Sequence, residues 1–315
     1  MTTFDALFAV VVNWNGGADN LVCLRSLIEL EGLPPERIVF VDNASRDGSR
    51  AAVAAAHPGL VFIDHTQNLG FGEGANAGAR AALTRGAAAV VFVNNDLTFP
   101  GGTLRGLAAA FDAEPRLGIA GPLVLFRDPE GAPSRVWCAG GRLDHRQNLS
   151  TLLGHGAPVD DAWRRERAVD YVAGCALMAS RALLSEVGLF DASYFAYHED
   201  LELGLRARRA GFDVRTYGRL TAYHAPSSAT GGGYSPRRKW MMGLNSVRFL
   251  RRYGGAAAWG RFVLFDVLTL PPLFALGLVN GRWRGVAAKA LGIFDGARGR
   301  RVTASRLEAG SSWLW

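Results

Sequence analysis

The sequence predicts an α/β fold built on a mostly parallel central sheet with helices on both faces. Two observations predict it. Short apolar runs alternate with segments of helical periodicity through the first third of the chain, an order typical of parallel strands joined by crossover helices. Several apolar runs also end in polar residues, at the edge of a parallel sheet where ligands bind. Together these patterns favour a Rossmann-like sheet with one functional edge.

Each predicted element follows from its own local pattern. Apolar, β-branched runs predict strands over residues 7–13, 37–42, 60–64, 88–94 and 119–126. Leucines or alanines at helical spacing predict helices over residues 19–31, 49–56, 74–85, 101–113, 181–187 and 198–210. Residues 127–167 are polar, glycine-rich and poorly periodic, which predicts a loop-rich insertion.

The bulk composition is that of a globular protein. The 315 residues are 49% hydrophobic and 20% charged, enough for one large α/β domain and an appendage. The three cysteines lie far apart and form no CxxC pair: Cys23, Cys138 and Cys175. This spacing argues against a disulfide framework or zinc knuckle and favours a reducing compartment. Because no signal-peptide pattern is present at the N-terminus, we expect a cytoplasmic protein.

Residues 235–315 differ in composition from residues 1–234, and we expect them to form a helical extension. They contain 14 Lys/Arg against 3 Asp/Glu, and residues 262–279 are almost wholly apolar. Asp266 and two consecutive prolines interrupt that run, which favours helices on a membrane surface over a bilayer span. A soluble pair of packing helices is the other alternative. A nucleic-acid partner is disfavoured, because the basic residues accompany an apolar run rather than exposed aromatics or a recognition helix.

Polar residues end the first, second and fourth predicted strands. Asn13 ends the first, Asp42 ends the second, and residues 94–96 read Asn-Asn-Asp after the fourth. A carboxylate at the end of the second strand can accept the imide N–H of uracil or thymine. Capping of the next helix accounts for Asp47 or Ser49, but Asp42 comes too early in the chain for that role.

A glycine-rich segment, residues 68–78, follows the third predicted strand. Its glycines allow the backbone to approach a ligand closely, and a helix N-terminus behind them favours phosphate. A nicotinamide dinucleotide site would place such a loop after the first strand, with an acid about twenty residues later. The position of the segment therefore disfavours a nicotinamide enzyme.

Two further clusters carry candidate chemistry. Asp96 follows an apolar strand, where an exposed carboxylate suits Mg²⁺ or Mn²⁺, although a simple turn is the alternative. Glu199 and Asp200 begin a predicted helix, where attraction to the helix macrodipole is the simpler explanation. His224 lies further along the chain, and a lone histidine is more often structural than a ligand. Together and in this order, the four clusters are stronger evidence for a functional site than any one of them alone.

Taken together, these segments resemble family 2 glycosyltransferases of the GT-A fold, a group that includes bacterial rhamnosyl- and galactofuranosyltransferases. The resemblance covers roughly residues 8–224. It is carried by Val-Val-Asn-Trp-Asn-Gly in the first strand, by residues 42–49, 68–78, 94–96 and 174–176, and by Glu199-Asp200 with Leu203 and Arg206 behind them.

The resemblance implies a nucleotide-sugar site in a GT-A domain spanning residues 1–234. Asp42 would bind the nucleobase. The other implied donor-binding residues are Asn13, Asn15, Asn68, Gly70, Asn76, Asn95 and Trp137. Asp96 is the last residue of the family's metal motif, here Asn-Asn-Asp in place of Asp-x-Asp, and His224 matches a further metal ligand. The implied cofactor is therefore Mg²⁺ or Mn²⁺.

The resemblance also implies a single-displacement, inverting reaction. Asp200 would be the general base that takes a proton from an acceptor hydroxyl, with Glu199 and Glu202 shaping the acceptor pocket. The expected donor is dTDP-L-rhamnose, with UDP-sugars as alternatives. The expected acceptor is a lipid-linked glycan or cell-surface polysaccharide at the inner face of the cell membrane. A non-catalytic nucleotide-sugar-binding or scaffold protein of glycan assembly is the alternative from another class.

Overall fold

The computed structural model of the chain describes residues 2–127, 135–225 and 235–315. The strands in these ranges are β1 Leu7–Asn13, β2 Ile38–Asp42, β3 Val61–Asp64, β4 Ala89–Asn94, β5 Leu97–Thr98, β6 Leu117–Phe126, β7 Val136–Cys138, β8 Gly141–Leu143, β9 Ser150–Leu152, β10 Arg167–Ala168, β11 Ala176–Ser180 and β12 Asp213–His224.

The α-helices in the same ranges are α1 Asp19–Arg25, α2 Ser49–Ala56, α3 Gly70–Thr84, α4 Thr103–Ala113, α5 Arg181–Glu186, α6 Glu199–Arg209, α7 Pro236–Tyr253, α8 Ala256–Phe262, α9 Leu270–Val279, α10 Trp283–Ala297 and α11 Ala304–Leu307. Helix α1 continues into a π-helical turn over Ser26–Leu30. A second π-helical turn, Val263–Val267, follows α8 directly.

The central sheet has the order β10-β12-β6-β11-β4-β1-β2-β3, with β5 beside β12 and β7 beside β6. Strands β3, β2, β1 and β4 pair in parallel, and β6 is parallel to β12. Strand β11 runs antiparallel to both β4 and β6, and β10 runs antiparallel to β12. The mostly parallel sheet predicted from the sequence is confirmed.

The register of the central strands brings their polar ends to one edge. Strand β1 pairs with β2 so that Asn13 lies opposite Asp42. It pairs with β4 so that Val12 lies opposite Asn94. Because these three strands are parallel, their carboxyl ends meet at the same edge, where open α/β sheets bind ligands.

Side chains of β1 alternate between the two faces of the sheet, and both faces are buried. Leu7, Ala9 and Val11 belong to a core cluster that also contains residues of α1 and α4. Phe8 and Val10 belong to a second cluster on the other face, which contains the alanines of α3. A strand with helices on both sides needs apolar residues at every position, which explains its uninterrupted apolar run.

Helix α3 and strand β12 are two of the elements that differ from the sequence expectations. Helix α3 begins at Gly70 rather than at residue 74, so most of the glycine-rich segment forms its first turns. Strand β12 carries no apolar run and was not predicted. It forms because it pairs with β6 along most of its length, with an irregularity between Tyr217 and Thr221. Pairing with a distant strand overrides a weak local β pattern.

Residues 235–315 form the expected helical extension, and α7 packs closely against α10. Glycines at the contact permit this approach: a Cβ on Gly292 would lie 2.0 Å from the carbonyl oxygen of Trp240. The indole Nε1 of Trp240 donates to the buried Asp295 Oδ2 at 3.0 Å. The predicted domain boundary at residue 234 lies outside the described residues.

Helices α8 and α9 present a largely exposed apolar surface. Ala256–Val279 contains 24 residues, and an 18-residue stretch of it has mean hydropathy 2.1 with 17% of the stretch buried. It is long and apolar enough to cross a membrane. The large apolar side chains of this segment that are more than half exposed are Leu264, Leu268, Leu276, Leu278 and Val279. Asp266 in the same segment is fully buried, where it pairs with Lys289 and accepts from the backbone N–H of Asn148.

Candidate active site

Asn13, at the end of β1, is fully buried and connects the ends of three strands. Its Nδ2 donates to Asp42 Oδ1 at 2.8 Å. Its Oδ1 accepts from Asn20 Nδ2 at 3.0 Å and from Asn95 Nδ2 at 3.2 Å. Three of the predicted donor-binding residues, Asn13, Asp42 and Asn95, thus form one hydrogen-bonded cluster. Asn20, on α1, was missed because one asparagine on a helix carries no sequence signal.

Asp42 organises the turn after β2. Its Oδ2 accepts from the backbone N–H of Ser45 at 2.9 Å, while Oδ1 accepts from the Asn13 amide. Asp47 has a different task, because its Oδ1 accepts from the backbone N–H of Ser49 at 3.0 Å and from the Ser49 hydroxyl at 2.6 Å. Asp47 therefore contacts the first residue of α2, whose N-cap is Gly48, and Asp42 belongs to the polar cluster at the sheet edge.

The other loop residues of the predicted donor site connect to the same edge. Asn15 is exposed, and its Oδ1 accepts from the backbone N–H of Arg46 at 2.8 Å. Asn68 Oδ1 accepts from the backbone N–H of Gly70 at 2.8 Å. Asn43, the residue after β2, donates from Nδ2 to the Gly70 carbonyl at 2.9 Å. These contacts join the Asn15 loop, the turn after β2 and the start of α3.

Gly70 and Asn76 attach α3 to the segment before α6. Gly70 has φ +84°, and a Cβ on it would lie 2.4 Å from the Phe195 carbonyl oxygen, so only glycine fits. The Asn76 amide donates to the Phe190 carbonyl at 2.9 Å and accepts from the Phe190 N–H at 3.0 Å. Asn76 is buried and satisfied by this backbone. Its role in donor binding stays a prediction.

The two predicted metal ligands lie together. Asp96 Oδ1 is 3.1 Å from His224 Nε2, and both side chains are buried. Trp137 packs edge-on against the imidazole, with ring centroids 4.4 Å apart. Strand β12, which the sequence did not predict, places His224 here through its pairing with β5 and β6.

The Asp96–His224 pair fits a cation that keeps most of its ligands outside the protein. Within residues 2–127, 135–225 and 235–315, no group of three or more His, Cys, Asp or Glu side chains is placed to hold a metal. Mg²⁺ and Mn²⁺ bind through one or two protein groups and take water and substrate phosphates as the rest. Nε2 of His224 faces Asp96 Oδ1, so Nε2 is the ring nitrogen placed to share a cation with this carboxylate.

The segment before α6 is strained. Three non-glycine residues there have positive φ angles: Phe195, Tyr197 and His198. Such conformations cost free energy and persist only when surrounding contacts enforce them. Asn245 of α7 provides these contacts, because its Nδ2 lies 2.9 Å from each of the carbonyl oxygens of Tyr194, Ala196 and Tyr197. Sequence analysis missed Asn245, because an isolated asparagine inside a helix forms no motif.

Glu199 is buried and Asp200 half-buried in the first turn of α6. Asp200 Oδ2 accepts from the Gly174 N–H at 3.0 Å, and Oδ1 accepts from the Leu201 N–H at 2.8 Å. Glu199 Oε2 is buried and has no partner in the described part of the chain. Burial raises the pKa of Asp200, and the two N–H groups oppose that rise. Burial and then the charge of Asp200 raise the pKa of Glu199 to about 8. The N–H groups of Gly174 and Leu201 therefore favour the negative charge of the pair on Asp200.

Glu202, one turn further along α6, makes internal contacts. Its side chain is fully buried, and both carboxylate oxygens lie 2.8 Å from Arg206 Nε. Arg206 also donates to the carbonyl oxygens of Val187 and Leu189, each at 2.7 Å. The Glu202–Arg206 pair thus fixes α6 to the preceding loop. A role for Glu202 in shaping an acceptor pocket stays a prediction.

Residues 174 and 175 connect the acid pair to the Asp96 region. The Gly174 N–H donates to Asp200, and the Cys175 carbonyl accepts from the Asn94 N–H at 3.0 Å. Burial raises the pKa of the Cys175 thiol, and the charges of Asp96 and Asp200 raise it further. Both carboxylates therefore lie near this one buried thiol, and the structure brings the predicted base and the predicted metal ligand into one region.

We expect Glu199→Gln to stabilise the fold more at alkaline than at acidic pH. The pKa of Glu199 is about 8 in the folded protein against an ordinary 4.5, so between these values the folded state keeps a proton that the unfolded chain has released. Wild-type stability therefore falls as the pH rises through this range, by on the order of a few kcal/mol. Glutamine has no proton to lose, so the difference in Tm between variant and wild type should grow with pH.

Thermal unfolding at about pH 5 and about pH 8 measures this effect. Glu186→Gln, which replaces an exposed acid on α5, is the matched control. A Tm difference for Glu199→Gln that is the same at both pH values would contradict the protonated state assigned to Glu199.

Comparison with known proteins identifies the family. The model of glycosyl transferase family 2 matches residues 9–184. The N-acetylglucosaminyl-diphospho-decaprenol L-rhamnosyltransferase of Mycobacterium tuberculosis is 30% identical over 227 residues, which cover 66% of this chain and 72% of that protein. A low-salt glycan biosynthesis hexosyltransferase of Haloferax volcanii is 25% identical over 215 residues, 68% of this chain and 65% of that protein.

Solved structures support the fold. The mannosyltransferase PcManGT from Pyrobaculum calidifontis, in complex with GDP-Man and Mn²⁺, superposes with a TM-score of 0.57 at 17% identity and covers 94% of this chain and 88% of its own. GalNAc-T7, with UDP, GalNAc and Mn²⁺, superposes with a TM-score of 0.55 at 13% identity over 82% of this chain, which spans 53% of the GalNAc-T7 chain. The predicted GT-A fold is confirmed. Because the family model matches more than half of its length, the chain belongs to glycosyl transferase family 2.

Proposed function

We propose that this glycosyltransferase moves L-rhamnose from dTDP-L-rhamnose to a hydroxyl of a lipid-linked glycan, with inversion at the anomeric carbon. The observation that carries the proposal is the pair Glu199 and Asp200, in which Asp200 accepts from two backbone N–H groups beside the buried Glu199. The similarity to a mycobacterial L-rhamnosyltransferase supports the choice of sugar and of a lipid-linked acceptor.

In this proposal Asp200 is the general base. The N–H groups of Gly174 and Leu201 favour its anion. Burial raises the pKa of Glu199 and so favours its neutral form. Asp200 takes the proton of the acceptor hydroxyl as the oxygen attacks the anomeric carbon from the face opposite the nucleotide. The bond from that carbon to the diphosphate oxygen breaks as the new bond forms. One displacement inverts the configuration, and no covalent intermediate is required.

The sheet edge would bind the donor. Asp42, in the Asn13 cluster, would accept the imide N–H of the nucleobase, and the loops after β1 and before α3 would enclose the rest of the nucleotide. Asp96 and His224 would hold Mg²⁺ or Mn²⁺, which supplies positive charge to the leaving diphosphate. Trp137 packs against His224 and would border the donor sugar.

A donor screen tests the proposal. We expect the purified protein with Mg²⁺ or Mn²⁺ to hydrolyse dTDP-L-rhamnose slowly, and Asp96→Ala to lower the release of nucleoside diphosphate by about 10²- to 10³-fold, the size typical of a lost electrostatic contact to the leaving group. Release of UDP from a UDP-sugar instead would identify that UDP-sugar as the donor. If no nucleotide sugar were hydrolysed, and if neither nucleotide sugars nor nucleoside diphosphates raised the Tm, the scaffold alternative would replace the transferase proposal.

We also propose that the exposed apolar surface of α8 and α9 contacts the inner face of the cell membrane without crossing it. The buried Asp266–Lys289 pair fixes the middle of this segment against the protein, which favours a surface contact over a span. In flotation with anionic phospholipid vesicles, Leu276→Gln should reduce the bound fraction. Leu30→Gln, at a similarly exposed leucine of the sheet domain, is the control: Leu276 is 56% exposed and Leu30 55%. Equal flotation of both variants and wild type would contradict this contact.

A further inference from the structure

A cavity of about 370 Å³ lies between α7, the end of α10 and the residues before α6. Its volume is within the range of small-molecule sites, roughly 300–1,000 Å³. Five of its ten lining residues are arginines: Arg248, Arg251, Arg252, Arg300 and Arg301. None of the residues implied in donor binding, metal binding or catalysis lines it.

The charges of this arginine cavity are not balanced within the protein. Asp191 is the one acid in its lining and pairs with Arg252 at 2.9 Å. Asp295, outside the lining, pairs with Arg300 at 3.0 Å. Arg248, Arg251 and Arg301 have no carboxylate partner among the ion pairs of the described residues. The cavity therefore keeps a local excess of positive charge.

Arg248 and Arg251 also have N–H donors that no acceptor in the described residues uses. Its Nη2 donates to the Arg300 carbonyl at 3.1 Å, but its Nε is buried and has no hydrogen-bond partner in the described part of the chain. Arg251 donates to the Ala297 carbonyl at 2.6 Å. Each guanidinium carries five N–H donors, so these two contacts use a small part of the available donors. An unpartnered buried N–H costs free energy, which a bound anion would recover.

We propose that the arginine cavity is a second ligand site, which binds a phosphate or diphosphate group. Guanidinium groups bind the tetrahedral oxygens of phosphate through paired N–H donors, and several of them around one cavity match a group with more than one negative charge. The site is separate from the sheet edge, and its existence does not depend on which sugar is transferred. The group comes either from a soluble phosphate compound or from the head group of a lipid.

The competing explanation is that these arginines only cap α10. Arg248 and Arg251 both donate to carbonyl oxygens at or just beyond its end, a favourable position for cations. Capping accounts for those two contacts. It does not account for Arg301, for the buried Nε of Arg248 or for an open cavity among the side chains.

Calorimetric titration of the full chain with sodium pyrophosphate tests the proposal. EDTA is present, so that no metal ion recruits pyrophosphate to the donor site. The double variant Arg251→Gln/Arg301→Gln removes two exposed arginines and leaves the half-buried Arg248 in place, so the fold is kept. We expect its Kd to rise by at least about tenfold, the effect of losing one charge-assisted hydrogen bond. Arg298→Gln, an exposed arginine of the same segment outside the cavity, is the matched control and should keep the wild-type Kd.

A second arm identifies the source of the phosphate. Flotation with phosphatidylcholine vesicles, with and without phosphatidic acid, is compared for wild type and the double variant. If the double variant loses the flotation that depends on phosphatidic acid, the site binds a lipid head group. Unchanged flotation with a weakened pyrophosphate Kd assigns it to a soluble phosphate compound. No pyrophosphate binding by wild type, or an equal change in the double variant and Arg298→Gln, would overturn the proposal and leave the arginines as helix caps.

Discussion

Asp200→Asn is expected to reduce turnover by about 10²- to 10⁴-fold, the contribution typical of a positioned general base. The asparagine keeps the shape of the side chain and one oxygen to accept from a backbone N–H, but it cannot take a proton. Because Asp200 lies in the first turn of α6 and not in the Asn13 cluster, donor binding should remain close to wild type. Single-turnover kinetics with the preferred donor measures turnover. The Tm shift caused by nucleoside diphosphate measures donor binding.

Two companion variants separate proton transfer from a structural role. Asp213→Asn, at the start of β12, makes the same chemical change away from the acid pair and should leave turnover unchanged. Asp200→Glu keeps a base in the site, and we expect it to retain more activity than the asparagine variant. If Asp200→Asn kept near-normal kcat, the base would have to be another residue. If it lost donor binding in parallel with turnover, the acid pair would act on the fold rather than on the proton.

Much of the fold is predictable from sequence because its first half depends on local patterns. The bounds predicted for the first strand and for the helix at residues 49–56 coincide with β1 and α2. Strand β1 is buried on both faces and shows as an uninterrupted apolar run, and α2 buries Ser49 and Val53, four residues apart on one helix face. Strand β12 was not predictable in this way, because its charged and polar residues give no apolar run and its position depends on pairing with β6.

The residues of the candidate site can be predicted from the sequence, but the contacts that position them cannot. Asn13 and Asp42 stand at the ends of recognisable strands, and parallel pairing brings such ends together. One of the two N–H groups that position Asp200 comes from far along the chain: Gly174 lies 26 residues before it. No local pattern predicts such a contact, because it depends on the tertiary packing of α6 against the residues before β11.

Asn245 is the clearest example of a positioning residue that the sequence does not reveal. We expect Asn245→Ala to lower both stability and turnover. The amide holds the carbonyl oxygens of a strained segment that leads directly into the acid pair, at 2.9 Å for each contact. Its loss removes one donor from each of these three carbonyl oxygens, of which that of Tyr194 keeps the Ala196 N–H at 2.7 Å. A carbonyl group left unsatisfied costs about 1–3 kcal/mol. We therefore expect a loss of about 3 kcal/mol in the free energy of unfolding. A relaxed segment would also displace Asp200, so kcat should fall by about tenfold or more.

The adjacent position supplies the control. Ser246 is equally buried, but its hydroxyl has no partner in the described part of the chain, so Ser246→Ala removes a buried polar group without removing a hydrogen bond. Ser246→Ala should therefore unfold at or slightly above the wild-type denaturant midpoint and keep wild-type kcat. Asn245→Asp should be worse than Asn245→Ala, because a carboxylate would face the same carbonyl oxygens and has no N–H to donate. If Asn245→Ala and Ser246→Ala changed kcat and stability alike, α7 would support this segment by packing alone. If the aspartate variant were the more active of the two, the amide would not be the group that holds the segment.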